Sequence, residues 1–586
     1  MKTLLAHILS AAASCAVCVN GICGEKPYGT PPTKAHIDYH KREIIAIVHW
    51  GLNTYTDQEW GFGDVSPDVL RPDSLDPEQW VRAMAAGGIK AVILVCKHHD
   101  GFCLWPSPLN KDYSMSAVPG KYRGFDVPKA VSDACRKYNI DFGAYLSPWD
   151  RHQGSYATPE YVEYFHAQWD ELMNGYGDIC EIWLDGANGG DGWYGGVNGG
   201  KGEKRKIPSG YYQKPRLLKA LHAKHPRALV FGGGGNWSTT WCGNERGTSP
   251  DNWWNPRRCS DGNTYWMPSE ADTPFRKGGW FYHPGDKPKP LSRLVEIYFE
   301  SVGRGAVLNF GIAPDRRGLV CDDDVKQLKK FGDWVKEFNA RDFASGAKTT
   351  LTRDGNDLVY AIDLPNPALF NCVDIKEVIE LGQRVKSFKV EVYDGAKWNK
   401  LAEGPSVGYR RLARFPEVTA SKVRVTLKGP EKDPSPVRIH PVALRYARAV
   451  QPEIDLPPQD LLPKTGWKAS QETAKALDGN SATYAFAKKI PASFAVDCGK
   501  SVTMKGFEYV PRLDGVHEGI VVKYAFEVSD DGKTWREIKR GEIGNIRANP
   551  IRSRIPFAEP VKARHFRFTP LFTVGEGAAI AELDLY

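Results

Sequence analysis

Two histidines stand in tandem in Lys97-His98-His99-Asp100-Gly101-Phe102, directly after the apolar run Ala91–Cys96. The chain carries only 14 histidines. Imidazoles at a strand end can ligate a metal, act as a general base or orient a polar substrate. The same pattern recurs along the first 310 residues: His49-Trp50-Gly51 follows Ile44–Val48, Tyr145-Leu146-Ser147-Pro148-Trp149 ends Asp141–Leu146, and Trp183-Leu184-Asp185-Gly186 ends Cys180–Leu184. Further on come Gly243-Asn244-Glu245-Arg246-Gly247 and Ser269-Glu270-Ala271-Asp272. Paired carboxylates among aromatics suit glycosidic cleavage. One carboxylate is the nucleophile, the other is acid and then base, and the aromatic faces pack on the sugar. No Ser-His-Asp ordering and no H-E-x-x-H occurs, which argues against serine and zinc hydrolases.

These residues need a scaffold that brings strand ends together. From residue 35 to 344 apolar strand-like runs alternate with helical stretches such as Pro77–Ala86, Val127–Tyr138 and Pro159–Met173. The expected strands are Ile44–Val48, Ala91–Cys96, Asp141–Leu146, Cys180–Leu184, Ala228–Phe231 and Ala306–Phe310. Such alternation predicts an α/β barrel or a doubly wound parallel sheet. In a barrel the C-terminal strand ends carry the active site. No G-x-G-x-x-G follows the first strand, and Gly232-Gly233-Gly234-Gly235 lacks the Lys-Ser/Thr of a phosphate loop. Beyond Lys348 short alternating strands predict two antiparallel β-sandwiches, over residues 345–450 and 464–586. They echo each other: Phe388-Lys389-Val390-Glu391-Val392-Tyr393-Asp394-Gly395-Ala396-Lys397-Trp398 resembles Phe526-Glu527-Val528-Ser529-Asp530-Asp531-Gly532-Lys533-Thr534-Trp535. Each is a strand, a D-G turn and a tryptophan, with Trp398 and Trp535 expected in the sandwich cores. The proline-rich stretch Gln451–Pro463 separates the two.

Composition sets the bounds. At 586 residues several cores are expected. Charge is balanced, 78 Lys and Arg against 70 Asp and Glu, net +8 without long basic runs, which does not point to nucleic acid. Aromatics are abundant, with 18 Trp, 25 Tyr and 24 Phe, fitting sugar sites and large cores alike. Residues 1–24 read as a secretory signal peptide, with Lys2, a short apolar stretch and small residues. A periplasmic or secreted protein follows, with lipid anchoring at Cys15 as the alternative, and no later segment qualifies as a membrane span. Of 12 cysteines, nine lie beyond the leader without zinc spacing and read as free thiols, Cys242 and Cys259 being the pair that could bridge.

The motifs taken jointly resemble the α-L-fucosidases of glycoside hydrolase family 29 over residues 40 to 340. They are His49-Trp50-Gly51, Glu59-Trp60, His98-His99-Asp100-Gly101-Phe102, Trp105, Tyr145-Leu146-Ser147-Pro148-Trp149 and Trp183-Leu184-Asp185-Gly186. The resemblance implies an irregular (β/α)8-like barrel over residues 35–344 and a retaining exo-α-L-fucosidase with no catalytic metal. It makes Asp185 the nucleophile. The segments Asn53–Gly61 and Gly243–Gly247 resemble the subfamily selective for α-1,3/1,4-linked fucose, in which Glu245 is the acid/base; Glu270 is the rival. His49, His98 and His99 are implied to bind sugar hydroxyls and Glu59 a further one. Trp60, Trp105 and Trp280 are candidates for packing on the fucose methyl, and Tyr145 and Trp183 complete the substrate-binding set. Asp100, Asp150 and Arg276 read as scaffold groups. A glycine-rich insertion, Gly189 to Gly202, departs from the family pattern and bears on the outer rim.

The last domain resembles the discoidin-like F5/8 type C modules through Ala476-Leu477-Asp478-Gly479-Asn480, Thr483, Ser529–Trp535 and the terminal strand Ile580–Tyr586. Many such modules hold a structural calcium, and Asp478, Thr483 and Glu582 match its place; oxygen ligands suit that ion. The expected partners are fucosylated oligosaccharides or glycoconjugates. Two other readings stand beside the main one: a non-catalytic glycan-binding protein on a decayed barrel, and a retaining glycosidase for a fucose-like sugar such as α-L-galactose.

Overall fold

A computed structural model describes residues 26–187, 207–355, 357–430, 437–452 and 460–586. The expected leader, the insertion Gly189–Gly202 and residues 453–459 of the proline-rich stretch lie outside the described residues.

Eight parallel strands close into a barrel in chain order: β1 Ile44–Val48, β2 Ala91–Lys97, β3 Asp141–Leu146, β4 Glu181–Trp183, β5 Leu229–Phe231, β6 Ser238–Trp241, β7 Ser269–Pro274 and β8 Val307–Ile312. Val48 pairs with Leu94 of β2 on one side and with Ile312 of β8 on the other, which closes the ring. Strands buried on both faces read as unbroken apolar runs, and β1 and β2 are buried at every residue. The helices begin where their capping chemistry says they should. Asp76 and Asp126 accept the backbone N–H groups of Gln79 and Lys129, a proline occupies the first turn of each helix, and Asn139 closes Val127–Tyr138 in the left-handed conformation.

The six strands expected from apolar runs are present within two residues of their expected limits. The sequence gives no apolar signal for β6 and β7, which read Ser-Thr-Thr-Trp and Ser-Glu-Ala-Asp-Thr-Pro. Yet β7 is buried along its whole length. Its carboxyls lie in a buried polar cluster with Glu181 of β4. Burial and mutual repulsion push Glu181 and Asp272 well above the usual carboxylate range.

Beyond the barrel, Lys348–Asp354, Asp357–Ile375, Ser387–Tyr393, Trp398–Gly404, Arg411–Lys428 and Ala443–Arg445 form a six-stranded antiparallel sheet. Its long strands shift register between Asp363 and Ala368, and Phe370, Val390 and Val425 belong to a separate core. A second such sheet runs from Lys468 to Leu585 around Phe507, Phe526, Phe566 and Phe568. The echo between the two is structural. In each, a hairpin strand carries a glutamate that holds an arginine of the neighbouring strand, and the arginine covers the tryptophan: Glu391, Arg424 and Trp398; Glu527, Arg567 and Trp535. Trp398 and Trp535 are therefore half-buried lids under a guanidinium, not core residues. The nine described cysteines are all free thiols, Cys242 and Cys259 included. Among the described residues no helix is long and apolar enough to cross a membrane.

Candidate active site

The C-terminal ends of β1 to β4 bring the sequence candidates together. His49 packs edge-on to His98 at 5.6 Å between ring centroids and lies 5.3 Å from both Trp280 and Phe281. His98 stacks on Tyr145. Burial lowers the basicity of both imidazoles, and His99 beside them lowers it further; His49 falls to about 3. Both are thus neutral at any pH near 7. Their Nδ1 atoms are buried without a hydrogen-bond partner among the described residues.

His99 differs. Ser147 Oγ donates to the Trp149 carbonyl at 2.6 Å, so it accepts from His99 Nδ1–H at 2.7 Å. This fixes the ring and turns Nε2 toward Asp185 Oδ2 at 3.6 Å. Asp185 follows β4 and keeps part of its side chain open, 27% exposed. Tyr145 Oη donates to its Oδ2 at 3.0 Å and the Ala187 N–H to its Oδ1 at 2.8 Å. The Tyr145 phenol is held protonated by burial and by the Asp185 charge, so it remains a donor. Trp183 Nε1 donates to Glu270 and not to Asp185, and its ring stacks on Phe231 at 3.7 Å.

Glu245 lies in the loop between β6 and β7. Its Oε2 accepts from Trp280 Nε1 at 2.6 Å and from Asn545 Nδ2 at 2.7 Å. Burial is the main cause of its raised pKa; the two N–H donors oppose it, and the charges of Asp185 and Glu59 add to it. The carboxyl is pushed up to about 8. Glu270, the rival, is completely buried in β7 and accepts from Tyr39 Oη, Trp183 Nε1 and Asn309 Nδ2.

Glu59 is in the site and carries a structural task besides the expected one. Its oxygens accept the N–H groups of Trp280 and Phe281 at 2.9 and 3.1 Å and His283 Nε2 at 2.8 Å. A carboxylate has about four acceptor positions, and three are spent on the protein. The loop wraps so tightly that a Cβ at Gly279, where φ is +142°, would lie 2.3 Å from Glu59 Oε1. Glu59 therefore places the Trp280 indole, and one acceptor position remains for the expected sugar hydroxyl. Burial disfavours charge on His283, but its bonds to Asp57 and Glu59 outweigh this and raise it to about 10.

Trp60 stands edge-on to His99 and Trp149. Trp105 does not join it. That indole is buried in the main core, and Nε1 donates to Glu171 of helix Pro159–Gly175 at 2.7 Å, so its assignment to the sugar pocket is corrected. The scaffold readings hold for Asp150, paired with Lys97 at 2.8 Å, and for Arg276, paired with Asp324 at 2.7 Å. Among the described residues Asp100 has no such pair; burial pushes it up to about 7.

Sequence reasoning missed Phe281, His283, Arg151 and Asn545. The first two sit in a loop whose only cue is aromatic content. The last gives no cue, because it comes from the third domain, 300 residues from Glu245.

At the position expected for calcium a lysine stands beside the carboxylates. Lys464 Nζ lies 2.5 Å from Glu582 and 2.7 Å from Asp584, already supplying a cation there. Thr483 donates its hydroxyl to Asp478. Asp478 also hydrogen-bonds Glu582, so the three expected residues come together, with Lys464 beside them.

A family profile described as alpha-L-fucosidase matches residues 31–340, more than half of the chain. The chain belongs to the α-L-fucosidase family. It is a glycoside hydrolase, and a second profile, F5/8 type C domain, matches residues 464–583. Alpha-L-fucosidase 1 of Arabidopsis thaliana is 31% identical over 447 residues, 68% of this chain and 85% of that protein. A crystal structure of a glycoside hydrolase 29 family member from a rumen bacterium superposes with a TM-score of 0.67 at 31% identity, covering 96% of this chain and all of that one. A Ruminococcus gnavus GH29 fucosidase in complex with fucose gives 0.64 at 27% identity, over 72% of this chain and 97% of that one.

Proposed function

We propose that this fucosidase is a retaining exo-enzyme that releases terminal α-1,3/1,4-linked L-fucose from glycans. Asp185 attacks the anomeric carbon while Glu245 gives its proton to the glycosidic oxygen. The bond to the aglycone breaks and a fucosyl ester forms on Asp185. Water then attacks the same carbon, its proton passes to the Glu245 carboxylate, and Asp185 departs.

The observation that carries this reading is the state of Glu245. A carboxyl pushed up to about 8 keeps its proton at neutral pH and can act as an acid. One cause of that shift is the charge on Asp185, which disappears when the ester forms. Glu245 then becomes more acidic at the moment a base is required. Glu270, sealed among three donors, has no free oxygen edge toward a substrate. The neutral His49 and His98 can donate to sugar hydroxyls without placing positive charge beside the developing oxocarbenium ion. The linkage preference rests on the Gly243–Gly247 and Asn53–Gly61 segments. A fucose substrate is supported by the fucose-bound relative. Export on the leader at residues 1–24 belongs to the same reading.

The test is turnover of an aryl α-L-fucoside beside α-1,3- and α-1,4-fucosylated oligosaccharides, with NMR of the first-formed sugar. The α anomer is expected; the β anomer would refute retention, and no release from any of the three would refute the whole reading. Asp185→Ala should lower kcat on the order of 10⁴-fold or more, the scale seen when a catalytic group is removed.

A further inference from the structure

Three contacts join the C-terminal module to the rim of the barrel, from the last residue of strand Arg536–Glu542 and the short segment after it. Glu542 pairs with Arg151 at 3.1 Å, both buried. Gly544 touches Trp60 so closely that a Cβ there would lie 3.0 Å from the indole Cγ, the Cβ and the backbone N. Asn545 Nδ2 donates to Glu245 Oε2 at 2.7 Å. We propose that Asn545 is a positioning residue of the active site: its amide, with the Trp280 indole, commits Glu245 Oε2 to accepting hydrogen bonds, so that the transferable proton resides on Oε1.

The local structure is built for this. Asn545 has φ +61°, a left-handed conformation that asparagine and glycine adopt more readily than other residues. Ile543 and Ile546 on either side are buried in the module's own core. The Asn545 carbonyl accepts from Asn549 at 2.9 Å. The amide is therefore presented by a segment fixed at both ends, which is what positioning to within fractions of an ångström needs. With both N–H donors on one oxygen, only the other oxygen of a protonated Glu245 is left to carry the acid hydrogen. The module then supplies part of the catalytic apparatus in addition to anything it does with glycans at its surface.

The proposal rests on Glu245 being the acid/base, and the test separates the two. Full-length Asn545→Gly keeps the left-handed backbone and removes the amide; Asn545→Asp keeps the shape and replaces the donors with an acceptor. Asp185, Glu59, Asp272 and Lys289 also act on the Glu245 charge and stay constant in both variants. Losing a donor to the carboxylate form should move the alkaline limb of kcat/KM upward by about one pH unit and lower kcat/KM on an oligosaccharide about tenfold. On an aryl fucoside, whose leaving group needs little protonation, the loss should be smaller. Asn545→Asp should move the limb at least as far. Should both variants keep the wild-type limb and stay within twofold of wild-type kcat/KM while Glu245→Gln is inactive on the oligosaccharide, the positioning role is overturned and the acid/base assignment stands. Should Glu245→Gln itself retain oligosaccharide turnover, the assignment beneath the proposal falls.

Discussion

At Glu245 one proton links catalysis to stability. Acting as an acid, it must be protonated, so kcat/KM should fall as pH rises through about 8. A pH–rate profile with no alkaline limb between pH 7 and 9 would contradict this. The same shift has a thermodynamic sign. The folded state holds the Glu245 proton up to about 8, whereas the unfolded chain releases it near 4.5. Between these values the native state binds more protons, so stability falls as pH rises across that window. Glu245→Gln carries no charge to bury. It should therefore melt a few degrees above wild type at pH 8.5 and show a smaller gain at pH 5. Equal melting temperatures at pH 8.5 would show that the carboxylate is not penalised by its site. This is the stability–activity conflict expected of a carboxyl placed for chemistry. The motifs around Asp185 and Glu245 were legible because their residue types are unusual at strand ends. The partners that tune them were not. Nothing in the local sequence of Asn545, or of Tyr145 within its apolar strand, announces which carboxylate it will reach.

Among the elements, β7 shows where sequence reading fails and why. A strand is recognised by apolar residues because burial normally requires them. Ser269–Pro274 is buried at every position yet bears Glu270 and Asp272, and Glu270 is tolerated there because Tyr39, Trp183 and Asn309 from other elements donate to it. Apolar β1, β2 and β3 obeyed the rule and were read to within a residue. The role of β7 is testable. Glu270→Ala leaves the buried hydrogens of Tyr39, Trp183 and Asn309 without their acceptor, at about 1–3 kcal/mol each. A loss of several kcal/mol in a denaturant titration is expected, and added azide should not restore turnover. Azide should restore it to Glu245→Ala on an aryl fucoside, because azide needs no general base: it attacks the anomeric carbon of the fucosyl ester in place of water, Asp185 departs and an α-fucosyl azide forms. Azide rescue of Glu270→Ala instead would exchange the two assignments. The terminal strand Glu582–Leu585 makes a similar point. The motif for calcium is legible in Asp478, Thr483 and Glu582, but Lys464, more than a hundred residues from Glu582, already supplies the positive charge. Chelator should leave the melting temperature unchanged, and a rise of several degrees on adding calcium would show that the ion competes successfully with the lysine.

At the scale of the whole molecule the domain order follows from changes of sequence pattern, but the way the domains meet does not. The first contact between the third domain and the barrel rim is a charge pair, Arg151 with Glu542, 391 residues apart. Arg151 is fully buried, lies 4.1 Å from the Trp149 ring centroid and donates to the Gly61 carbonyl. Trp149 in turn packs against His99 and Trp60. The pair thus sits directly behind the residues that face Asp185. Removing one member of a buried pair leaves the other uncompensated, at about 3–5 kcal/mol, whereas replacing both with apolar groups is often neutral. Glu542→Ala, a change in the module, should therefore lower the melting temperature of the barrel and reduce kcat/KM through the Trp149–His99 ring contact. The double variant Arg151→Met with Glu542→Ala should recover most of the stability, giving a coupling on the order of 1–3 kcal/mol in a double-mutant cycle. If calorimetry instead shows the module melting alone, with the barrel transition and turnover unchanged, the interface is a tether and the two domains act independently. A shared transition and a large coupling would mean that the active site is completed only when the third domain docks, which explains how a residue as remote as Asn545 can be held against the carboxyl that gives up the proton.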